Sequence, residues 1–177
     1  MPNLIDEAAA KGASAIQAAA ARMHGMSGVF RTLVKEHGEA EMLLKRAQAT
    51  DDAEKQRELW RRIRVELLSH EKAELEAVYA ELGRHEIMRE TIRRHNDDAE
   101  RLQAAITRVD TAEYGTEPWS DALKALVSSV EKHVEEEERE YLPLAMRVVN
   151  RDAAEEMDER FSAIKKSFVA TLTGGQY

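Results

Sequence analysis

Four stretches of this chain each carry one stripe of apolar residues, and a polar residue interrupts every stripe near its middle. Alternating steps of three and four residues place the members of a stripe on one face of an α-helix. One buried face per helix is typical of a bundle with shallow crossing angles. We therefore expect an all-α protein, an antiparallel up-down-up-down four-helix bundle with additional N-terminal and C-terminal helices. The stripes consist of Phe30, Leu33, His37, Ala40, Leu44 and Ala47, then Trp60, Ile63, Leu67, His70, Glu74 and Ala77, then Met88, Ile92, His95, Ala99, Leu102, Ile106 and Val109, and last Leu123, Leu126, Val130, His133, Glu137, Tyr141 and Leu144.

The composition supports helix throughout the chain. Only 5% of residues are aromatic and three are proline, whereas Ala, Glu, Arg and Leu are abundant, which disfavours a β-sandwich. A length of 177 residues suits one compact core. Helix breakers then predict three regions: an Ala-rich helix in residues 1–26, the bundle in residues 27–150, and an amphipathic helix with a tail in residues 151–177.

Several residues predict helix boundaries within the bundle. Asp51 with Glu54 resembles a capping box at the start of the second bundle helix. Gly83 is the expected end of that helix, and the third is expected to begin near Arg84. Pro118 suits the first turn of the fourth helix.

Charge, cysteine content and hydropathy exclude several classes of protein. A net charge of −8 disfavours nucleic acid as a partner, because phosphate binding requires clustered Lys and Arg. The absence of cysteine excludes disulfides, thiolate metal ligands and Fe–S clusters. No apolar run has the length of a membrane span, and the N-terminus lacks the pattern of a signal peptide. We therefore expect a cytoplasmic protein that does not bind membranes.

The polar residues that interrupt the stripes form an ordered pattern, in which His-x-x-x-Glu occurs twice. A His and a Glu four residues apart share a helix face and can reach one point. A single His on an apolar stripe is usually a satisfied core residue, but six buried polar groups require one another or a metal. A hydrogen-bonded His/Glu network is the alternative, although four His outnumber two Glu. The six residues are His37, His70, Glu74, His95, His133 and Glu137.

Ligand chemistry narrows the choice of metal. Imidazole and carboxylate together suit Fe, Mn or Zn better than Ca or Mg, which prefer oxygen ligands alone. Structural zinc would take four ligands at one tetrahedral point. Six ligands spread over four helices instead fit two ions bridged by carboxylates, a kind of site that bundle cores are known to hold.

The segments that carry these residues resemble the hemerythrin-like (HHE) domain. They are KEHGEAE, LLSHEKAELEAVY, RRHNDDAE and HVEEEEREYLPL, and the resemblance covers residues 29 to 149. It implies a four-helix bundle that holds a non-haem di-iron centre, two iron ions with an oxo or hydroxo bridge. It also implies that Glu74 and Glu137 are the bridging carboxylates.

The chain departs from the oxygen-carrying members of this family at one ligand. Those proteins use five His, including a His-x-x-x-His pair on the third bundle helix. Here Thr91 and Ala99 stand four residues before and after His95, so the second His is missing. Two six-coordinate irons would then keep two open positions, against one in a five-His site.

Two further residues are candidate ligands for these positions. Glu71 follows His70, but position i+1 points about 100° away on a helix, so Glu71 is alternatively a solvated residue. Tyr141 lies one turn past Glu137 and is alternatively a core residue at the end of the bundle. The other acidic residues beside Glu137 are expected on a solvated face; they are Glu135, Glu136 and Glu138.

These features predict a di-iron protein that binds or reacts with O2, NO or peroxide, as a sensor or a scavenger. An apolar pocket from Leu67, Ile92, Leu126 and Val130 favours such small uncharged ligands. The alternative is an iron-handling or iron-sensing module whose metal occupancy controls stability or partner binding. A repair protein for iron centres ranks lower, because such relatives often carry an N-terminal cysteine segment that residues 1–24 lack. Whether the protein consumes peroxide or NO as an enzyme is left open.

The C-terminal region carries its own apolar stripe, formed by Met157, Phe161, Ile164 and Phe168. Such a stripe must pack against the bundle or against another subunit. We favour a fifth helix that packs on the bundle, with a homo-oligomer through the terminal helices as the alternative.

Overall fold

The computed structural model describes residues 25–174, and the predicted Ala-rich helix at residues 3–22 lies outside this part of the chain. The described residues form five long helices and no strand, which confirms the all-α class. None of these helices is both long enough and apolar enough to cross a membrane. Helices α1, α3 and α5 are Val29–Gln48, Arg89–Thr111 and Arg151–Thr173. Helix α2 joins Ala53–Glu74, a π-helical turn at Leu75–Tyr79 and Ala80–Leu82, and α4 joins Glu117–Glu136, a π-helical turn at Glu137–Tyr141 and Leu142–Ala145.

Two predicted helix starts require correction. Asp52, not Asp51, is the N-cap of α2, and its carboxylate accepts hydrogen bonds from the backbone N–H groups of Glu54 and Lys55. Helix α3 begins at Arg89 rather than near residue 84, because a short 3-10 turn comes first. The start of α4 agrees with the prediction, since Pro118 lies in its first turn.

The apolar core consists of two clusters, and each of the helices α1 to α4 contributes to both. In α1 and α3, residues of the first cluster precede residues of the second along the chain. In α2 and α4 the order is the opposite. The first cluster includes Phe30, Leu33, Val78, Leu82, Met88, Tyr141, Leu142, Met157 and Phe161. The second includes Leu44, Trp60, Ile63, Leu102, Ile106, Val109, Trp119, Leu123 and Leu126.

Hydrogen bonds from Gln56 join the two loops beside the second cluster. Its side-chain amide donates to the carbonyl of Thr50 at 2.8 Å and accepts from the backbone N–H of Gly115 at 2.7 Å. Nearby, the indole N–H of Trp60 donates to Asp110 at 2.8 Å. These bonds satisfy the buried side chains of Gln56 and Trp60 at this end of the bundle.

Helix α5 packs against α1 and α2 and closes the first cluster. Met157 and Phe161 are fully buried, and Ile164 packs at the edge of the cluster, so the predicted C-terminal stripe does pack on the bundle. The approach is close at Gly28, before α1. A Cβ atom added there would lie 2.4 Å from the backbone of Ala154 in α5.

We expect the change Gly28→Ala to destabilise the fold. Gly28 has a φ of +54°, so alanine carries about 1 kcal/mol or more of left-handed strain in addition to the clash with Ala154. Gly174→Ala is the matched control, because Gly174 has a φ of +65° but nothing within 4 Å of its Cβ position. Urea unfolding of both variants should show the larger loss for Gly28→Ala; equal losses would mean that the close contact contributes nothing.

Candidate metal centre

The six interrupting residues lie between the two apolar clusters, so that a polar layer crosses the core. On every helix of the bundle they come between members of the first and the second cluster. Glu74, His95 and Glu137 have no exposed surface. Even His70, the most exposed of the six, keeps only 14% of its side chain exposed. Groups at this depth must be neutralised or bound.

The four imidazoles form two pairs. The ring centroids of His37 and His70, on α1 and α2, are 5.1 Å apart. Those of His95 and His133, on α3 and α4, are also 5.1 Å apart. Each pair therefore brings together two neighbouring helices of the bundle.

Glu74 connects the two imidazole pairs. Its Oε2 atom lies 3.7 Å from Nε2 of His70, one helical turn earlier on α2. The same oxygen lies 3.4 Å from Nε2 of His95 on α3. One carboxylate thus faces one member of each pair.

Glu137 also connects the two imidazole pairs, through the two imidazoles that Glu74 does not face. Its Oε2 atom lies 3.2 Å from Nε2 of His37 and 3.7 Å from Nε2 of His133. Its second oxygen, Oε1, accepts a hydrogen bond of 2.7 Å from the buried hydroxyl of Tyr79. That bond fixes the position of the carboxylate. It was not predictable from the sequence, because Tyr79 resembles any other core residue.

Within residues 25–174, the atoms that face the middle of this layer have no partner in hydrogen-bond geometry. Buried polar atoms without partners are rare in folded proteins, and each requires an explanation. A cation is the partner that imidazole nitrogens and carboxylate oxygens both accept. The residues therefore fit a metal site. The atoms are Nε2 of His37, His70, His95 and His133, both oxygens of Glu74, and Oε2 of Glu137.

Glu71 also turns towards this layer. Its side chain is only 15% exposed, and Oε1 lies 4.0 Å from Nε2 of His95. One ligand atom from each of Glu71, Glu74, His95 and His133 lies within 4.8 Å of the others, as metal binding requires. The alternative of a solvated Glu71 is thus wrong, although its role as a ligand stays a prediction.

Tyr141, the other candidate, is buried in the first apolar cluster. Its ring packs beneath the guanidinium of Arg94 at 5.2 Å, and its hydroxyl has no hydrogen-bond partner among the described residues. A ligand role for Tyr141 stays a prediction.

Two carboxylates outside the layer orient the first imidazole pair. Oε1 of Glu138 lies 2.9 Å from Nδ1 of His37, and Oε2 of Glu36 lies 2.9 Å from Nδ1 of His70. A carboxylate that accepts the Nδ1 proton leaves Nε2 free for a metal. The prediction that Glu138 is solvated is therefore wrong. Glu36 was missed because a Glu before a His looks like an ordinary exposed helix position.

The charge balance of the layer is unfavourable without a cation. Burial and the neighbouring Glu137 raise the pKa of Glu74 well above its usual range, and the same causes raise that of Glu71 to about 8. Burial lowers the pKa of His95 to about 4. His37 differs, because Glu137 and Glu138 outweigh burial and raise its pKa to about 9. Burial and mutual repulsion thus favour the neutral form of Glu71 and Glu74, whereas a bound cation would favour their charged form.

A small cavity of about 30 Å³ lies beside the layer. Its polar border includes His37, His70, Glu71 and His133, and Lys165 of α5 also lines it. The apolar wall consists of Ala40, Leu67, Leu102, Val130 and Val134. The predicted pocket residues Leu67 and Val130 are thus correct. Ile92 packs against the first apolar cluster instead, and Leu126 lies in the second cluster outside the cavity lining.

Comparison with known proteins identifies the family. The model of the hemerythrin HHE cation-binding domain matches residues 17–145, a range that includes all six layer residues. Neither the curated proteins nor the solved structures contain a match to the chain. Because the family match covers well over half of the chain and agrees with the resemblance of its motifs, the protein belongs to the hemerythrin HHE cation-binding domain family.

Proposed function

We propose that the protein holds two iron ions, joined by an oxo or hydroxo bridge, and uses them to bind or react with O2, NO or peroxide as a sensor or scavenger. The observation that carries this proposal is the crossed arrangement of Glu74 and Glu137, each facing one imidazole from each pair. Bridging carboxylates require such an arrangement. The alternating order of the two apolar clusters further supports an antiparallel up-down-up-down bundle as the scaffold.

The layer residues divide unequally between the two proposed ions. His95 and His133 share their side with Glu71, whereas no described residue forms a corresponding group with His37 and His70. With both bridging carboxylates shared, the ion beside His37 and His70 would have one ligand fewer. The cavity borders this pair and also Glu71 and His133 of the other side, so a small molecule has space next to either ion.

The cavity favours a small, uncharged ligand. At about 30 Å³ it holds little more than one or two water-sized molecules. Its aliphatic wall excludes bulk water. Glu138 keeps His37 in place beside the cavity, and Glu36 keeps His70 in place. Ferrous ions bound here would supply the electrons for reduction of O2 or peroxide and would also bind NO.

The iron content of purified protein tests the assignment of ligands. We expect about two irons per chain, and His37→Ala and His133→Ala should each reduce the content to about one or less, because each removes a ligand from one side. His85→Ala is the control, since His85 lies in the turn before α3, outside the layer. Metal analysis with optical spectra measures both; variants that keep two irons and an unchanged oxo-bridge absorption would contradict the assignment.

The reaction of the reduced protein tests the proposed activity. Anaerobic di-ferrous protein should change its absorption spectrum when mixed with O2, NO or hydrogen peroxide. Leu102→Phe should slow this change, because the larger side chain fills the cavity without removing a ligand. Leu43→Phe, in the same apolar cluster but outside the cavity lining, is its control. A di-ferrous protein that gives no spectral change with any of the three molecules would exclude this function.

A second candidate function is an iron-sensing module whose stability follows its metal occupancy. The observation that favours it is the crowding of buried carboxylates, which raises the pKa of both Glu71 and Glu74 in the metal-free layer. A cation would remove this penalty, and a site assembled from four helices exists only in the folded chain.

Thermal unfolding of metal-free and iron-loaded protein tests this coupling. We expect iron to add about 4 kcal/mol of stability when free metal is a thousandfold above Kd, and hence to raise Tm clearly. Ca²⁺ is the control ion and should have little effect, because it prefers oxygen ligands alone. Equal Tm values for the metal-free and iron-loaded forms would argue against sensing through stability.

A further inference from the structure

A lysine from the C-terminal helix reaches the outer side of the proposed metal centre. Nζ of Lys165 in α5 donates hydrogen bonds to Oε2 of Glu36 at 2.7 Å and to Oε2 of Glu66 at 2.9 Å. The lysine is only 16% exposed and Glu36 18%, so both charges are largely removed from water. A buried pair of this kind has a fixed geometry and a high cost if one partner is lost.

The same oxygen of Glu36 holds a proposed iron ligand. Its Oε2 atom lies 2.9 Å from Nδ1 of His70, so Lys165, Glu36 and His70 form one continuous chain of hydrogen bonds. Phe161, one helical turn before Lys165, packs its ring edge-on against the His70 ring at 5.7 Å. Helix α5 therefore contacts His70 directly through one side chain and indirectly through another.

The outer carboxylates of this imidazole pair lie on different helices. The outer carboxylate of His37 is Glu138 on α4. The outer carboxylate of His70 is Glu36 on α1, which accepts a hydrogen bond from Lys165 of α5. Without Lys165, Glu36 would gain hydration by turning towards solvent, and His70 would lose the partner that fixes its tautomer and ring orientation.

We propose that Lys165 is a positioning residue that acts through Glu36 on His70, so that docking of α5 and metal binding strengthen each other. The inference rests on the proposed metal centre and adds to it a regulated element. Coupling between two equilibria is reciprocal: whatever factor α5 docking adds to metal affinity, bound metal adds to α5 docking. A partner that displaces α5 would therefore weaken metal binding beside His70.

Three substitutions separate this role from general helix packing. Lys165→Met keeps the length of the side chain but removes the charge, and Lys165→Arg restores a donor for both carboxylates. Lys166→Met removes a neighbouring exposed lysine from the same helix and is the matched control. Glu36→Gln interrupts the same chain from the α1 side, which provides a second route if Lys165→Met folds poorly.

Two measurements on the full chain follow the coupling. The first is ferrous iron affinity by competition with a chelator; we expect Lys165→Met and Glu36→Gln to weaken it by about tenfold, with recovery in Lys165→Arg and no change in Lys166→Met. The second is amide hydrogen exchange in α5 with and without iron. Iron should slow exchange in wild-type α5, and this protection should decrease by a similar factor in Lys165→Met.

The outcomes distinguish this inference from the proposed function. A wild-type protein that binds two irons while Lys165→Met keeps full affinity and full metal-dependent protection of α5 would overturn the inference alone. Equal weakening in Lys166→Met would also overturn it, because the effect would then be one of helix charge. A wild-type protein that binds no iron would overturn both proposals.

Discussion

The structure depends on one constraint, the burial of four imidazoles and two carboxylates in a single layer of a small helical core, with the carboxylate of Glu71 beside it. Such groups cannot remain charged and unpaired away from water. The two apolar clusters supply the stability that holds the layer together, and they also separate it from both ends of the bundle. Burial raises the carboxylate pKa values of Glu71 and Glu74, and most atoms at the centre of the layer have no hydrogen-bond partner in the described part of the chain.

The two π-helical turns help to explain how the carboxylates meet the imidazoles. One begins directly after Glu74 and the other begins at Glu137, so each π-turn starts where a His-x-x-x-Glu pair ends. A π-turn inserts one extra residue into a helix and rotates the residues on either side relative to each other, and such turns are frequent at functional sites. In α2, the π-turn ends at Tyr79, the residue that donates to Glu137. The π-turn in α2 thus carries a residue that both packs in the first apolar cluster and donates a hydrogen bond to the site.

The sequence predicted the parts of this arrangement that depend on periodicity. Four apolar stripes defined the helices, and the polar residues within them defined the layer, because both follow from the 3.6-residue repeat. The contacts of Glu36, Glu138 and Lys165 were not predictable in this way. Each depends on the rotation of one helix against another, and each residue in isolation resembles an exposed charged position. The predicted N-cap of α2 was wrong by one residue, and the predicted start of α3 was wrong by five. In both places neighbouring polar residues offer equally good helix starts.

The outer hydrogen bonds make the two sides of the proposed centre unequal. Both Nδ1 atoms of the first imidazole pair have carboxylate partners, whereas Nδ1 of His95 and of His133 has none among the described residues. A carboxylate on Nδ1 increases the electron density that an imidazole donates to a metal. The side of His37 and His70 therefore combines the richer donors with the contact to α5, whereas the cavity borders residues of both sides. Under the two proposals, a small ligand in the cavity would lie beside His70, the imidazole that the C-terminal helix positions. A change in the docking of α5 would then reach the cavity through Glu36 and His70.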